Sequence, residues 1–334
     1  MLVTSIGSLP FVDVDKAIDL IFASCPAIPF WPQLPNRSYL EGMYIQYLEG
    51  IPAVRIDEGK GTAYVDTGTT EGIEAFYEDF NSKRIDAFAI SEERAPGFYR
   101  FLERLPEIHD RVKFVKTQLT GPFTLGMGLK DEKGKPIIYD AAYFDIVRKA
   151  LHMKAQWMIK TLRAVYPDTK VILFFDEPAM VSFGSAFVSI SKQDVISLFD
   201  EAALGLDARV GIHVCGNTDW SVPLGSKIEI INYDAFHFMD TLFYFRSDLS
   251  AYLNKGGRIF PGIVPSDAED LDRTGLQDLV QHWHAVERLF SEAGGGKEEE
   301  WVATTSCGLG TLTEAHATRA LDLLGRLPDY VKTR

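Results

Sequence analysis

The chain has 334 residues, 46% of them hydrophobic and 24% charged; this is long for an average domain but ordinary for a barrel enzyme built as one unit with its own core. With 47 acidic residues against 34 basic ones, the net charge of -13 argues against nucleic acid or an anionic membrane as a partner. Three cysteines, Cys25, Cys215 and Cys307, are too few for a disulfide framework, and the start, Met1 to Ser5, has neither the basic region nor the apolar stretch of a secretion signal, so a cytoplasmic location is expected.

Taken in chain order, short apolar runs alternate with longer amphipathic stretches. The runs Leu2–Ile6, Ala27–Trp31, Val112–Thr117, Val171–Phe175, Val210–Val214, Ile228–Asn232, Arg258–Gly262 and Trp301–Thr305 are predicted strands. Their unbroken apolarity suits strands buried on both faces, although Pro29 interrupts the second. Predicted helices are Val14–Ala23, Asp140–Val165, Val195–Leu204 with Ser191 and Asp194 as a capping box, Leu276–Ala293 and Leu312–Leu324. Cys25 follows the first helix and is expected as a buried thiol. Eight strands with helices between them imply an α/β fold, a (β/α)8 TIM barrel over residues 1–334 as a single domain. An open doubly wound sheet is the alternative. It is weakened by the lack of a Gly-x-Gly-x-x-Gly motif after the first strand, and Gly294-Gly295-Gly296 reads as a flexible loop.

The connection after the second strand is far longer than one helix needs. It contains two apolar runs, Val54–Ile56 and Ala63–Val65, on either side of a glycine-bearing turn. This is expected as an inserted β-hairpin and helical segment of the kind that forms binding loops.

Chemistry-bearing residues sit at the C-terminal ends of the strands. In His213-Val214-Cys215, residues i and i+2 share a face, so an imidazole and a thiol converge. Cys307 lies just past the last strand, and one His with two Cys is a catalytic zinc set with a position left open. A packed histidine with two core thiols is the competing reading. Asp234 is a candidate fourth ligand or a helix cap; His237 is a spare ligand or packs between Phe236 and Phe238. Ile6-Gly7-Ser8 offers backbone N–H groups and a hydroxyl to an anion, or is a plain glycine turn. Asp176, in Asp176-Glu177-Pro178, is placed to hold an ammonium group or to act as acid or base, or it starts a helix. The stretch Thr117 to Pro122 is polar in the same way, or only a turn.

Together, Ser5-Ile6-Gly7-Ser8-Leu9-Pro10, Leu119-Thr120-Gly121-Pro122-Phe123-Thr124, Asp176-Glu177-Pro178-Ala179, His213-Val214-Cys215 and Cys307-Gly308-Leu309 occur in the order of the catalytic barrel of cobalamin-independent methionine synthase. The chain resembles the short, single-barrel members of that family, within the wider uroporphyrinogen decarboxylase and methionine synthase-like superfamily. The resemblance implies Zn2+ held by His213, Cys215 and Cys307, with Asp234 where the family has a glutamate. It implies that Ile6, Gly7 and Ser8 bind the carboxylate of a small thiol such as homocysteine and that Asp176 binds its ammonium group. Gln33 stands where the family has an acidic substrate contact, and Asp267 is nearest to the family's acid histidine. The implied methyl donor is a corrinoid protein or folate, with methionine biosynthesis as the setting. The rivals are a methylcorrinoid:coenzyme M-type thiol methyltransferase, a metal-free uroporphyrinogen-decarboxylase-like enzyme and a non-catalytic metal- or corrinoid-binding module. The decarboxylase-like rival needs rim cations, for which Arg37 and Arg258 are the candidates.

Overall fold

A computed structural model describes residues 1–57, 59–186, 188–294 and 301–332; of the glycine run expected as a flexible loop, Gly295 and Gly296 lie outside the described residues. Its strands are β1 (Leu2–Val3), β2 (Val54–Asp57), β3 (Thr62–Val65), β4 (Val115–Thr120), β5 (Lys130–Asp131), β6 (Val171–Asp176), β7 (Arg209–Val214), β8 (Ile230–Asp234), β9 (Arg258–Val264) and β10 (Val302–Thr305). The helices are α1 (Val14–Ser24), α2 (Ile73–Asn81), α3 (Pro96–Arg104), α4 (Pro122–Gly128), α5 (Ala141–Val165), α6 (Lys192–Ala203), α7 (Ser221–Gly225), α8 (Arg246–Asn254), α9 (Ala268–Arg273), α10 (Leu276–Glu292) and α11 (Glu314–Lys332).

Seven strands form one sheet in the order β1-β10-β9-β8-β7-β6-β4, with every neighbouring pair parallel. The sheet curls on itself. Ile28, Ile172, Phe174, Ile230, Phe260 and Val302 pack into a cluster of their own, apart from the larger core between sheet and helices. Alternation along each strand then dictates the next inward positions. On β6 the series Ile172, Phe174 continues to Asp176. On β8, Ile230 is followed inward by Asn232 and Asp234, and on β10, Val302 by Thr304. An apolar plug is thus overlaid by a polar layer at the C-terminal ends of the strands.

The predicted second strand is a correction. Residues Ala27–Trp31 form no ladder; they reach β4 by a single parallel bridge, Phe30 to Lys116, and Gln33 pairs by another with Ser8, in the turn that follows β1. Pro29 lacks an N–H and can only accept, from the Lys116 amide at 2.9 Å. The first predicted strand is likewise cut to Leu2–Val3, and the third is displaced toward the C-terminus, to Val115–Thr120.

The long connection carries β2 and β3, paired antiparallel from Val54↔Val65 to Asp57↔Thr62. β3 also pairs with β5, just after α4, and Glu132 accepts from the Thr67 amide at 3.0 Å beside this junction. On the helical side, Ser191 caps α6 through the Asp194 amide, and Cys25 is fully buried at the end of α1. Among the described residues no helix is long and apolar enough to cross a membrane.

Candidate metal centre

His213 is the last inward residue of β7, and Cys215 follows the strand's end. Cys307 lies two residues past β10. A ring nitrogen of His213 and the sulfurs of Cys215 and Cys307 all lie within 4.8 Å of one another. The imidazole is buried, and its Nε2 has no hydrogen-bond partner, whereas Nδ1 faces Asn232 Oδ1. A buried, unpartnered ring nitrogen beside two soft sulfurs is a donor set that fits zinc, with room for a further ligand.

The electrostatics of the pair of thiols are asymmetric. Cys215 is held well below an ordinary thiol, first by a hydrogen bond from Cys307 and then, against burial, by His213. Cys307 is pushed up by the same bond and by burial. Burial works against charge on His213, but the neighbouring Cys215 and Asp176 outweigh it and raise its pKa. One thiolate is therefore favoured before any cation arrives.

Asp176 ends β6 in register with His213 on one side and Thr120 on the other. Its Oδ1 is buried without a partner. Burial pushes the carboxyl up to about 6, although His213 and Lys116 oppose the shift. Lys116 is fully buried on β4, bonded to the Ile6 carbonyl and, at 3.2 Å, to Gln118 Oε1. The neighbouring Glu177 is spent on structure: it accepts from the amides of Phe123 at 2.9 Å and Thr124 at 2.6 Å, at the start of α4.

The Ile6–Ser8 turn is pinned from three sides. Lys116 holds the Ile6 carbonyl. Gly7 has φ +150, and a Cβ there would come within 2.5 Å of the Gln118 amide. The Ser8 carbonyl accepts from Leu309 at 2.9 Å, which fastens the turn to the Cys307-Gly308-Leu309 loop. Gln33 is buried and donates to Gln46 Oε1 at 2.6 Å and to Tyr47 Oη at 2.9 Å.

Asp234, at the end of β8, is not in the three-residue group. Its oxygens accept from the His237 backbone at 2.9 Å and face His237 Nδ1 at 2.8 Å. His237 does touch Phe236 edge-on. Its ring nitrogens, however, are taken by carboxylates: Nε2 lies 2.8 Å from Asp270 and 3.8 Å from Asp267. Asp267 itself caps α9 through the Asp270 amide.

Asn232, Thr304 and Thr305 are site residues that the sequence reading does not single out. The available signal for Asn232 and Thr304 is inward parity, since Asn232 lies two residues before Asp234 and Thr304 two after Val302 on the same strands; Thr305 has the opposite parity and carries no such signal. Tyr44 is another. Its hydroxyl is raised by burial and by the charges of Glu177 and Cys215, and no periodicity in the long connection marks it.

Neither a family model nor a curated protein matches the chain. Solved structures do match its fold. A B12-independent methionine synthase from Shewanella sp. W3-18-1, in complex with selenomethionine, is 16% identical over 70% of this chain and 67% of its own, with a TM-score of 0.50. A methyltransferase from Methanosarcina mazei is 13% identical over 98% of this chain and 94% of its own, with a TM-score of 0.55. A Listeria monocytogenes structure described as a vitamin-B12-independent methionine synthase is 16% identical over 96% and 86%, with a TM-score of 0.56. At these identities, what the chain shares with the three structures is their fold.

Proposed function

We propose that the chain is a zinc-dependent methyltransferase of the methionine synthase type, moving a methyl group from a corrinoid protein or folate to a small thiol such as homocysteine. In this reading residues 1–334 act as one (β/α)8 unit, with segment 27–33 in the place of the second strand. The observation that carries the reading is the convergence of His213 with the sulfurs of Cys215 and Cys307, within 4.8 Å at the strand ends. The fold likeness to methionine synthase and methyltransferase structures supports it.

Zinc bound there would favour the thiolate of an entering thiol, whose free pKa is about 8.5. The chain's own residues position that thiol. The unpartnered Asp176 oxygen takes its ammonium group, and the pinned Ile6–Ser8 turn takes its carboxylate. Gln33, fixed by Gln46 and Tyr47, walls the same side. Asp234 would complete the ligand set by turning one oxygen away from His237, which holds both of them here, and Asp267, 3.8 Å from His237 Nε2, would be the acidic group of the reaction. The sulfur forms its bond to the methyl carbon as the bond to the donor breaks, in line.

A metal-free, decarboxylase-like enzyme is less well supported. Arg37 is engaged by Glu41 at 3.1 Å, and Arg258 opens β9, at the end of the strand away from the site.

The test is the zinc content of purified protein beside a Cys307→Ser variant, followed by methyl transfer from methylcobalamin or methyltetrahydrofolate to homocysteine and to coenzyme M. Stoichiometric zinc, lost in the variant, with turnover on a thiol is expected. Metal-replete protein without zinc would overturn thiol activation, and turnover on coenzyme M alone would reassign the acceptor.

A further inference from the structure

The His213 ring is oriented by a hydrogen-bond chain whose direction is set by backbone carbonyls. Thr304 Oγ1 donates to the Thr305 carbonyl at 2.9 Å. A hydroxyl has one proton, so toward Asn232 this oxygen can only accept. Asn232 Nδ2 accordingly donates to Thr304 Oγ1 at 2.8 Å and to the Phe260 carbonyl at 2.6 Å. Both amide protons are thereby spent, and the amide cannot flip without facing oxygen against oxygen. Asn232 Oδ1 is left pointing at His213 Nδ1, 2.5 Å away, from the register-paired position on the next strand. An amide oxygen has no proton to give, so Nδ1 must carry one. Nε2, buried and unpartnered, is then the nitrogen free to present a lone pair.

We propose that Asn232, held by Phe260 and Thr304, is the positioning residue that commits His213 to bind metal through Nε2. The inference rests on the zinc reading above and adds to it a residue outside the ligand set. A related chain steadies the other end of the site: Thr305 Oγ1 donates to the Cys307 carbonyl at 2.8 Å, so Ser5 Oγ, 2.8 Å from Thr305 Oγ1, must be its donor. The three residues are thus braced from Ser5, β8, β9 and β10, the kind of outer support that typically contributes about 10–100-fold to metal affinity.

The experiment uses the full chain with isotope-labelled histidine, loaded with NMR-active cadmium, together with zinc affinity by chelator competition. Scalar coupling from cadmium to His213 Nε2, with Nδ1 still protonated, is expected. Coupling to Nδ1 would overturn the inference. Asn232→Ala is expected to weaken zinc binding about 10–100-fold. Thr304→Val, which keeps the branched shape and removes the hydroxyl that accepts from Asn232 and donates to the Thr305 carbonyl, should weaken it less and covers the case in which Asn232→Ala does not fold. Wild-type affinity in a folded Asn232→Ala protein would also overturn it. If the wild-type chain binds neither ion, the metal-centre reading fails and this inference with it; if it binds zinc and the variants bind equally, only this inference fails.

Discussion

Asp176 and His213 face each other in register at the ends of β6 and β7, and one oxygen of Asp176 is buried with no partner. In the proposed function this carboxylate is the group that binds the ammonium of the acceptor. Asp176→Asn keeps the shape and removes the charge. It is expected to raise KM for an amine-bearing thiol by about 10-fold or more, since a charged hydrogen bond contributes about 1.5–3 kcal/mol. Zinc content should be unchanged. Steady-state kinetics with homocysteine and with a thiol lacking the amine test the idea, which fails if both acceptors suffer equally.

Gly7→Ala combines two penalties. Its φ of +150 disfavours a side chain, and the added Cβ would meet the Gln118 amide at 2.5 Å. Gln118 has little freedom to yield, because it accepts from Lys116 and donates to the Trp31 carbonyl at 3.1 Å. A loss of about 1–3 kcal/mol is expected. Gly256→Ala, with φ +90 but open space around it, isolates the backbone penalty. Urea unfolding of the two variants should rank Gly7→Ala as the more damaging; the reverse order would show that Gln118 is free to move.

Gly121→Ala probes the start of α4. The new Cβ would lie 2.2 Å from Glu177 Oε1, and the Phe123 and Thr124 amides hold that carboxylate in place. The expected cost is about 1–3 kcal/mol by denaturant unfolding. Any metal bound in the proposed centre should be retained, because His213, Cys215 and Cys307 are not touched.

Lys154 is buried on α5 with a single long contact, 3.4 Å, to the Phe88 carbonyl. Burial brings its pKa down from 10.5 to about 8, against the pull of Glu49. The unfolded chain therefore holds more protons than the folded one between those values, so stability rises as pH climbs from about 8 toward 10.5. Below that window both states are protonated and the cost is fully present. Lys154→Met should stabilise the protein at pH 7 by up to about 3 kcal/mol, because each tenfold change in a protonation equilibrium is worth about 1.36 kcal/mol. Its advantage should shrink at alkaline pH. Thermal midpoints across pH measure this, and a pH-independent difference would count against it.

The sequence by itself determined what local periodicity can encode. Apolar runs located the sheet strands to within a few residues, and parity along β7 put His213 and Cys215 on one face. The Ser191 cap and the burial of Cys25 were legible for the same reason, since each depends on near neighbours. Ala27–Trp31 reads as a full strand but is not one, because apolarity implies burial without implying a hydrogen-bond ladder, and Pro29 removes a donor. α11 runs to Lys332, beyond the predicted end at Leu324 and through Pro328. There Gly325 lies against the Ser24 backbone at the end of α1, a contact no local signal contains.

Only the tertiary structure decided which atoms meet. That Asn232 lies opposite His213, that Thr304 stands behind Asn232 and that His237 occupies the oxygens of Asp234 depend on register and turns between segments far apart in the chain. Side-chain parity names the face of a strand; the stagger of parallel neighbours selects the partner, and no single strand carries that information.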